Sequence, residues 1–212
     1  CSDVCSSDLV NTPAYADGDA SLLTGMLRWL RPHRLIELGC GYSSACTLDT
    51  RDRYLDGIPH ITFVDPYPQL LEDLLRPSDR GTVDILPVGT QDVPLELIDT
   101  LNAGDVLFID STHVSKTDSD VNRIFFDILP RLKPGVVVHL HDIFAGFEYP
   151  RAWVEEGRSW NELYMLRAFL QFNDTFEILV FPGMLQAVDR DRYFAGIPGL
   201  RNPGGAFWMR RR

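Results

Sequence analysis

Five short apolar runs, each followed by an amphipathic segment, restrict this chain more than any other feature. The runs are RLIELG (34–39), ITFVD (61–65), VDILPVG (83–89), DVLFID (105–110) and GVVVHLHDI (135–143). They are brief and rich in β-branched residues, as strands buried on both faces are. Helix-like segments fill the gaps at 44–53, 68–76, 93–102 and 119–132; in the last, Val121, Ile124, Phe125, Ile128 and Leu132 recur at helical spacing. Strand and helix in repeated succession predict an α/β domain: a mostly parallel sheet, right-handed crossovers and helices on both faces. A further helix at 19–30 precedes the first strand and stops before Pro32. The tail predicts a helix at 160–172, then strands at 176–182 and 205–211 that close one sheet edge as an antiparallel pair, with a Gly- and Pro-containing loop at 183–204 between them. The span 145–159 is too long for a minimal turn and reads as a lid or substrate wall.

With 212 residues and 45% hydrophobic composition, the chain can bury one full core. Its formal charge of −10 disfavours nucleic acid as a partner. No apolar run approaches the roughly 20 residues of a membrane span. Cys1, Cys5, Cys40 and Cys46 form neither a zinc spacing nor a CxxC, which suggests a reduced, cytoplasmic protein with Cys40 and Cys46 as small buried thiols. The opening CSDVCSSDL reads as the translation of a sequencing adapter. Residues 1–10 are accordingly set apart as artefactual or disordered, 11–212 are taken as a single domain, and the natural N-terminus is expected to be missing.

Ligands of open α/β sheets bind beyond the carboxyl ends of the strands. The first strand ends in ELGCGYSS, where Glu37, Gly39 and Gly41 are followed by Ser43 and Ser44 entering a helix. Such glycines permit a tight turn and close approach of a ligand, although two glycines alone also fit an ordinary βα turn. Asp65 ends the second strand, where an acid can take both hydroxyls of a ribose. The fourth strand ends in FIDSTHV, with Asp110 and His113, and the fifth in VVVHLHDIF, with His141 and Asp142. Adjacent strand ends converge, so Asp110, His141 and Asp142 are expected around one point. Two crowded carboxylates need a cation or a shared proton. A divalent ion such as Mg²⁺ takes carboxylate oxygens, and a histidine among the ligands also admits Mn²⁺.

The turn E-x-G-x-G-x-S resembles motif I of class I S-adenosylmethionine-dependent methyltransferases. The resemblance implies a Rossmann-like methyltransferase fold with a seven-stranded sheet and an antiparallel C-terminal strand. It also implies S-adenosylmethionine as cofactor, with Glu37, Gly39, Gly41, Ser43 and Asp65 around it. VGTQDVP (88–94) is similar to the corresponding segment of catechol O-methyltransferases, which places Thr90 and Gln91 at the adenine, while Asp92 reads as a helix cap. Asp110, His141 and Asp142 fall on that family's Mg²⁺ ligands, with Asp110 also beside the cofactor. His141 stands where the family has an aspartate, and His113 stands at the spacing of its catalytic lysine. The implied activity is O-methylation of a small molecule or sugar hydroxyl, with His113 as general base and a divalent ion (Mg or Mn) assisting. The alternative is a cofactor- or metal-binding protein on the same fold without methyl transfer, or another step in natural-product assembly. The expected partner is a small-molecule methyl acceptor, with no membrane and no nucleic acid, and the oligomeric state is open.

Several residues read more simply as structural. His139 lies deeper on its strand and is expected as a satisfied core histidine. Asp118 and Asp120 read as helix caps; Glu162 reads by default as first-turn electrostatics, with reach into the site as the alternative. Phe147, Tyr149 and Trp153 wall a pocket or pack a loop, and Trp208 is core.

Overall fold

The computed structural model describes residues 15–196, 202 and 204–212. The segment 1–10 set apart above lies outside the described residues. All seven strand-like runs form strands of one sheet, in the order β3-β2-β1-β4-β5-β7-β6. β1 (Arg34–Leu38), β2 (His60–Val64), β3 (Asp84–Leu86), β4 (Val106–Ile109) and β5 (Val137–Leu140) are parallel. β6 (Phe176–Val180) and β7 (Phe207–Arg211) are antiparallel to each other, and β7 docks antiparallel on β5. The tail pair therefore closes one edge, with the last strand inside and β6 outside.

Strand alternation divides the core into two layers. Leu35, Ile61, Phe63, Val106, Phe108, Val137 and Trp208 pack on one face, against α1 (Asp17–Leu30), α2 (Tyr42–Tyr54) and α3 (Gln69–Leu74). Ile36, Leu38, Leu107, Ile109, Val138, Leu140 and Met209 pack on the other, against the segment after β4 and α8 (Glu162–Leu170). Val121, Ile124, Phe125, Ile128 and Leu132 are all buried, as their spacing predicts. Their helix is not uniform: α5 (Asp120–Arg123) widens into an i→i+5 stretch, Ile124–Ile128, before α6 (Leu129–Arg131). Pro130 lies just past that stretch and has no N–H to donate.

The structure departs from expectation in four places. The predicted helix 93–102 shrinks to α4 (Leu95–Ile98) after a 3₁₀ turn at Thr90–Asp92, and Asp92 does not cap it. Ser119, not Asp118 or Asp120, caps α5 by accepting from the Asn122 N–H. Asp120 is buried and instead accepts from the Thr112 N–H and hydroxyl, both at 2.7 Å, tying down the loop after β4. The predicted loop 183–204 contains two helices, α9 (Pro182–Val188) and α10 (Arg190–Gly196); Pro182 sits in the first turn of α9, where its missing N–H costs nothing. Within 145–159 lie a 3₁₀ turn (Ala145–Phe147) and α7 (Arg151–Glu155). No helix among the described residues is long and apolar enough to cross a membrane.

Candidate active site

The glycine turn is built from beneath by Glu37. This carboxyl is fully buried, and its Oε1 accepts from the hydroxyls of Ser43 (2.6 Å) and Ser44 (2.9 Å). Ser44 Oγ in turn accepts from the Gly41 N–H at 3.0 Å. Burial pushes the Glu37 carboxyl up to about 8 despite those two donors, so at neutral pH it is largely protonated. Glu37 thus orders the turn, and the Ser43 hydroxyl is engaged with it from below. Gly39 has φ +83°, and a Cβ there would collide with the Asp110 carbonyl oxygen. That close approach joins the β1 and β4 strand ends and explains the glycine better than turn tightness alone. Asp65 accepts from the Cys40 N–H (3.0 Å) and the Tyr67 N–H (2.7 Å), holding its carboxylate beside the turn. Thr90 is buried in its 3₁₀ turn, and Gln91 donates to the Asp118 carbonyl at 3.1 Å. Cys46 is buried and Cys40 half-buried, and neither forms a disulfide among the described residues.

Across the Gly39–Asp110 contact lies a cavity of about 490 Å³, lined by Asp19, Asp110, His113, His141, Asp142, Trp153 and Trp160 among others. His113 and Asp142 both adopt left-handed backbone, φ +60° and +59°. Non-glycine residues in that conformation are strained, and such strain clusters at functional sites. The carbonyl of His113 is pinned by two N–H groups at the start of α8, from Asn161 (2.8 Å) and Glu162 (3.1 Å). His113 Nδ1 donates to Glu162 Oε2 at 2.8 Å, and the indole of Trp160 lies on the imidazole at 4.2 Å between centroids. The other nitrogen, Nε2, faces Asp110 (3.5 Å) and Asp142 (3.7 Å). His141 sits among Asp19 (3.4 Å), Asp110 (3.5 Å) and Asp142 (3.8 Å).

The acids and imidazoles of this cluster shift one another's protonation. Burial alone would lower the His113 pKa, but Asp110 and Glu162 outweigh it and hold the imidazole at about 10. His141 is likewise raised, its desolvation overcome by Asp110 and Asp142. Asp110 is lowered: burial opposes ionisation, and the two imidazolium groups more than offset it. Asp142 is raised, by burial first and by Asp110 and Asp19 as well. His113 therefore carries a proton at neutral pH, which corrects the expectation of an unshifted general base.

A methyltransferase domain model matches residues 36–143. The chain belongs to this family. The match runs from the glycine turn through His141 and Asp142, so both halves of the strand-end site lie within it. Solved structures of methyltransferases share the fold. The chain covers 97% of itself and 81% of the Podospora anserina methyltransferase PaMTH1 bound to S-adenosylhomocysteine, at 16% identity and a TM-score of 0.61. It covers 96% of itself and 82% of the O-methyltransferase TomG of Streptomyces achromogenes, involved in tomaymycin synthesis and in complex with S-adenosylmethionine, at 16% identity and 0.55. Against cmcI with Mg and S-adenosylmethionine the figures are 92%, 71%, 16% and 0.51. The fold is that of the class I S-adenosylmethionine-dependent methyltransferases. An uncharacterized protein of Archaeoglobus fulgidus is 28% identical over 96 residues, which span 43% of this chain and 41% of that protein.

In this methyltransferase the structure does bring Asp110, His141 and Asp142 together. Among the described residues, however, no group of three or more His, Cys, Asp or Glu side chains is arranged to hold a metal ion. A metal at these residues would need His141 without its ring proton, since a protonated ring nitrogen has no lone pair to give. One further member of the cluster went unrecognised in the sequence. Asp19 comes from the first turn of α1, far from any strand end, and also accepts from the Gly205 N–H at 2.9 Å. Glu162 does reach the site, the second of its two readings, beyond first-turn electrostatics. His139 is core but not satisfied: it lies between Phe108 (4.2 Å) and Trp208 (4.7 Å), and neither ring nitrogen has a hydrogen-bond partner among the described residues. Burial holds its pKa well below the usual value, so it sits there as a neutral ring.

Proposed function

We propose that this methyltransferase moves the methyl group of S-adenosylmethionine to a hydroxyl oxygen of a small molecule. The observation that carries the reading is the His113–Glu162 pair, aimed at Asp110 and Asp142 on the floor of a cavity that adjoins the glycine turn. Gly39, Gly41, Asp65, Thr90 and Gln91 are the residues that would hold the cofactor. The side-chain-free glycines suit close approach, and the half-exposed Asp65 carboxylate keeps lone pairs free for a ribose diol. S-adenosylmethionine supplies an already activated methyl group, so the chain has to align an oxygen and dispose of its proton.

His113 acts in this scheme as a cation. Its Nε2–H points into the cavity, where it can donate to the acceptor oxygen and stabilise the negative charge that develops there. Glu162 fixes the ring through Nδ1. Asp142, the carboxylate whose pKa is raised, takes the hydroxyl proton. The pH profile tests this. A stabilising imidazolium makes turnover fall as pH rises through about 10, whereas a His113 base makes it climb towards that value. Methyl transfer itself is tested with radiolabelled S-adenosylmethionine against phenol and polyol mixtures. A protein that binds the cofactor and labels no acceptor would be a binding protein on this fold.

A divalent ion is the competing arrangement. It is favoured by the cmcI structure with Mg and S-adenosylmethionine, and it would use Asp110, Asp142 and a deprotonated His141. In the scheme proposed here, chelation leaves turnover unchanged. Loss on chelation, restored by Mg²⁺ or Mn²⁺, would assign those three residues to a metal instead.

A further inference from the structure

We infer that Arg158 selects an anionic group on the acceptor, and that the acceptor is a flat hydroxyaryl carboxylate; the inference rests on the O-methyltransferase reading. The cavity lining is of two chemical kinds, and Trp160 meets both, its ring 4.2 Å from that of His113 and 5.0 Å from the Arg158 guanidinium. The cavity floor carries the carboxylates of Asp19, Asp110 and Asp142. Its walls include Phe144, Trp153 and Trp160, with the Trp153 and Trp160 rings nearly perpendicular at 5.2 Å. Among the described lining residues Arg158 is the one lysine or arginine.

The arginine is held in place by stacking. Its guanidinium lies 4.2 Å from the Trp153 centroid and 5.0 Å from that of Trp160. Its N–H bonds to the Trp153 carbonyl at 3.1 Å, across a turn in which Gly157 takes φ +87°. Its one ionic partner among the described residues is the exposed Glu156, at 3.1 Å, a surface pair of little strength. A stacked, pre-oriented fork with a weak partner suits bidentate capture of a planar carboxylate. The carboxylates of the floor repel such an anion, while His113 on the same floor receives a hydroxyl. A ligand that satisfies both carries a hydroxyl and a carboxylate on one aromatic ring. The cavity volume is in the range of small-molecule sites.

The test is calorimetric. The full chain is loaded with S-adenosylhomocysteine and titrated with a dihydroxybenzoate and, separately, with the neutral dihydroxybenzamide. The wild type is expected to bind the acid about tenfold more tightly, a margin set by one partly exposed charge-assisted pair. Arg158→Gln should erase the preference by weakening the acid alone, and Arg158→Lys should restore part of it, since charge is kept and the fork lost. Equal binding of acid and amide by the wild type, or equal weakening of both in Arg158→Gln, overturns the inference. Failure of S-adenosylhomocysteine to bind overturns the cofactor reading instead, and the same titrations on the unloaded protein then decide Arg158 by themselves.

Discussion

The two halves of the strand-end surface are built by different means. At β1 to β3 the site comes from neighbours in sequence: a buried acid, two serines and two glycines within one turn, then Asp65 at the next strand end. Its key contact is backbone on backbone, Gly39 against Asp110. At β4 and β5 the site comes from residues far apart. Asp19 arrives from α1, Glu162 from α8, and Gly205 closes on Asp142, where an added Cβ would sit 2.9 Å from its Cα. One half is a shaped backbone and the other a coupled set of charges. Shape is damaged by adding atoms and charge by removing a partner, so the halves should fail in separable ways.

The largest effect separates them outright. His113→Asn should lower kcat by about 10²–10⁴-fold, the usual span for a group acting on the reacting proton or oxygen, while S-adenosylhomocysteine affinity stays within about twofold. Parallel loss of affinity would show that the halves are one unit. The converse is Gly39→Ala. A Cβ forced against a backbone carbonyl at positive φ cannot be relieved by a rotamer change; the left-handed backbone alone costs about 1–2 kcal/mol. Adenosylhomocysteine binding should weaken by at least about tenfold and the thermal midpoint should fall, with the His113–Glu162 pair unaltered.

The same division explains what the sequence could tell. Strand runs such as 105–110 and 135–143 were legible because parallel strands are apolar on both sides. The strand-end residues Asp65, Asp110, His141 and Asp142 followed from topology alone. Asp19 was not legible and Glu162 only as an alternative reading, because nothing local marks a first-turn acid as buried; both meet the site through tertiary packing. The charge state of His113 was hidden for the same reason, being set by Glu162 from across the fold. The helices at Pro182–Val188 and Arg190–Gly196 were missed because Pro182 was placed in the preceding strand and 183–204 was read as a loop from its Gly and Pro, when Pro182 begins a helix.

Glu162→Gln is a finer probe of the charged half. The amide keeps a hydrogen bond to Nδ1 and removes one of the two anions that raise the imidazole. The His113 pKa should therefore fall, and the high-pH limb of turnover should move down from about 10 by about one unit, with kcat near neutrality reduced less than about tenfold. An unmoved limb would mean that the limb does not report His113. Rescue of most activity by the amide, against near-complete loss in Glu162→Ala, would mark the residue as positioning.

The smallest effect concerns the shaped half and leaves chemistry alone. Burial raises Glu37 from 4.5 to about 8. Between those values the folded chain keeps a proton that the unfolded chain gives up, so Glu37 makes stability fall as pH rises from 4.5 towards 8. His113 has the same sign, but its contribution is constant below 6.5, where the ring is charged in both states, and is lost only from there up to about 10. The window from 4.5 to 6.5 therefore isolates Glu37 from His113. Asp142, also raised, contributes equally to wild type and variant and cancels in the difference. Glu37→Gln keeps an oxygen to accept from Ser43 and Ser44 and cannot ionise. Its thermal midpoint should decline less steeply across that window than that of the wild type; one pKa unit is about 1.4 kcal/mol, enough to resolve. Coincident slopes would mean that the carboxyl beneath the glycine turn is ionised, and that the turn rests on an anion after all.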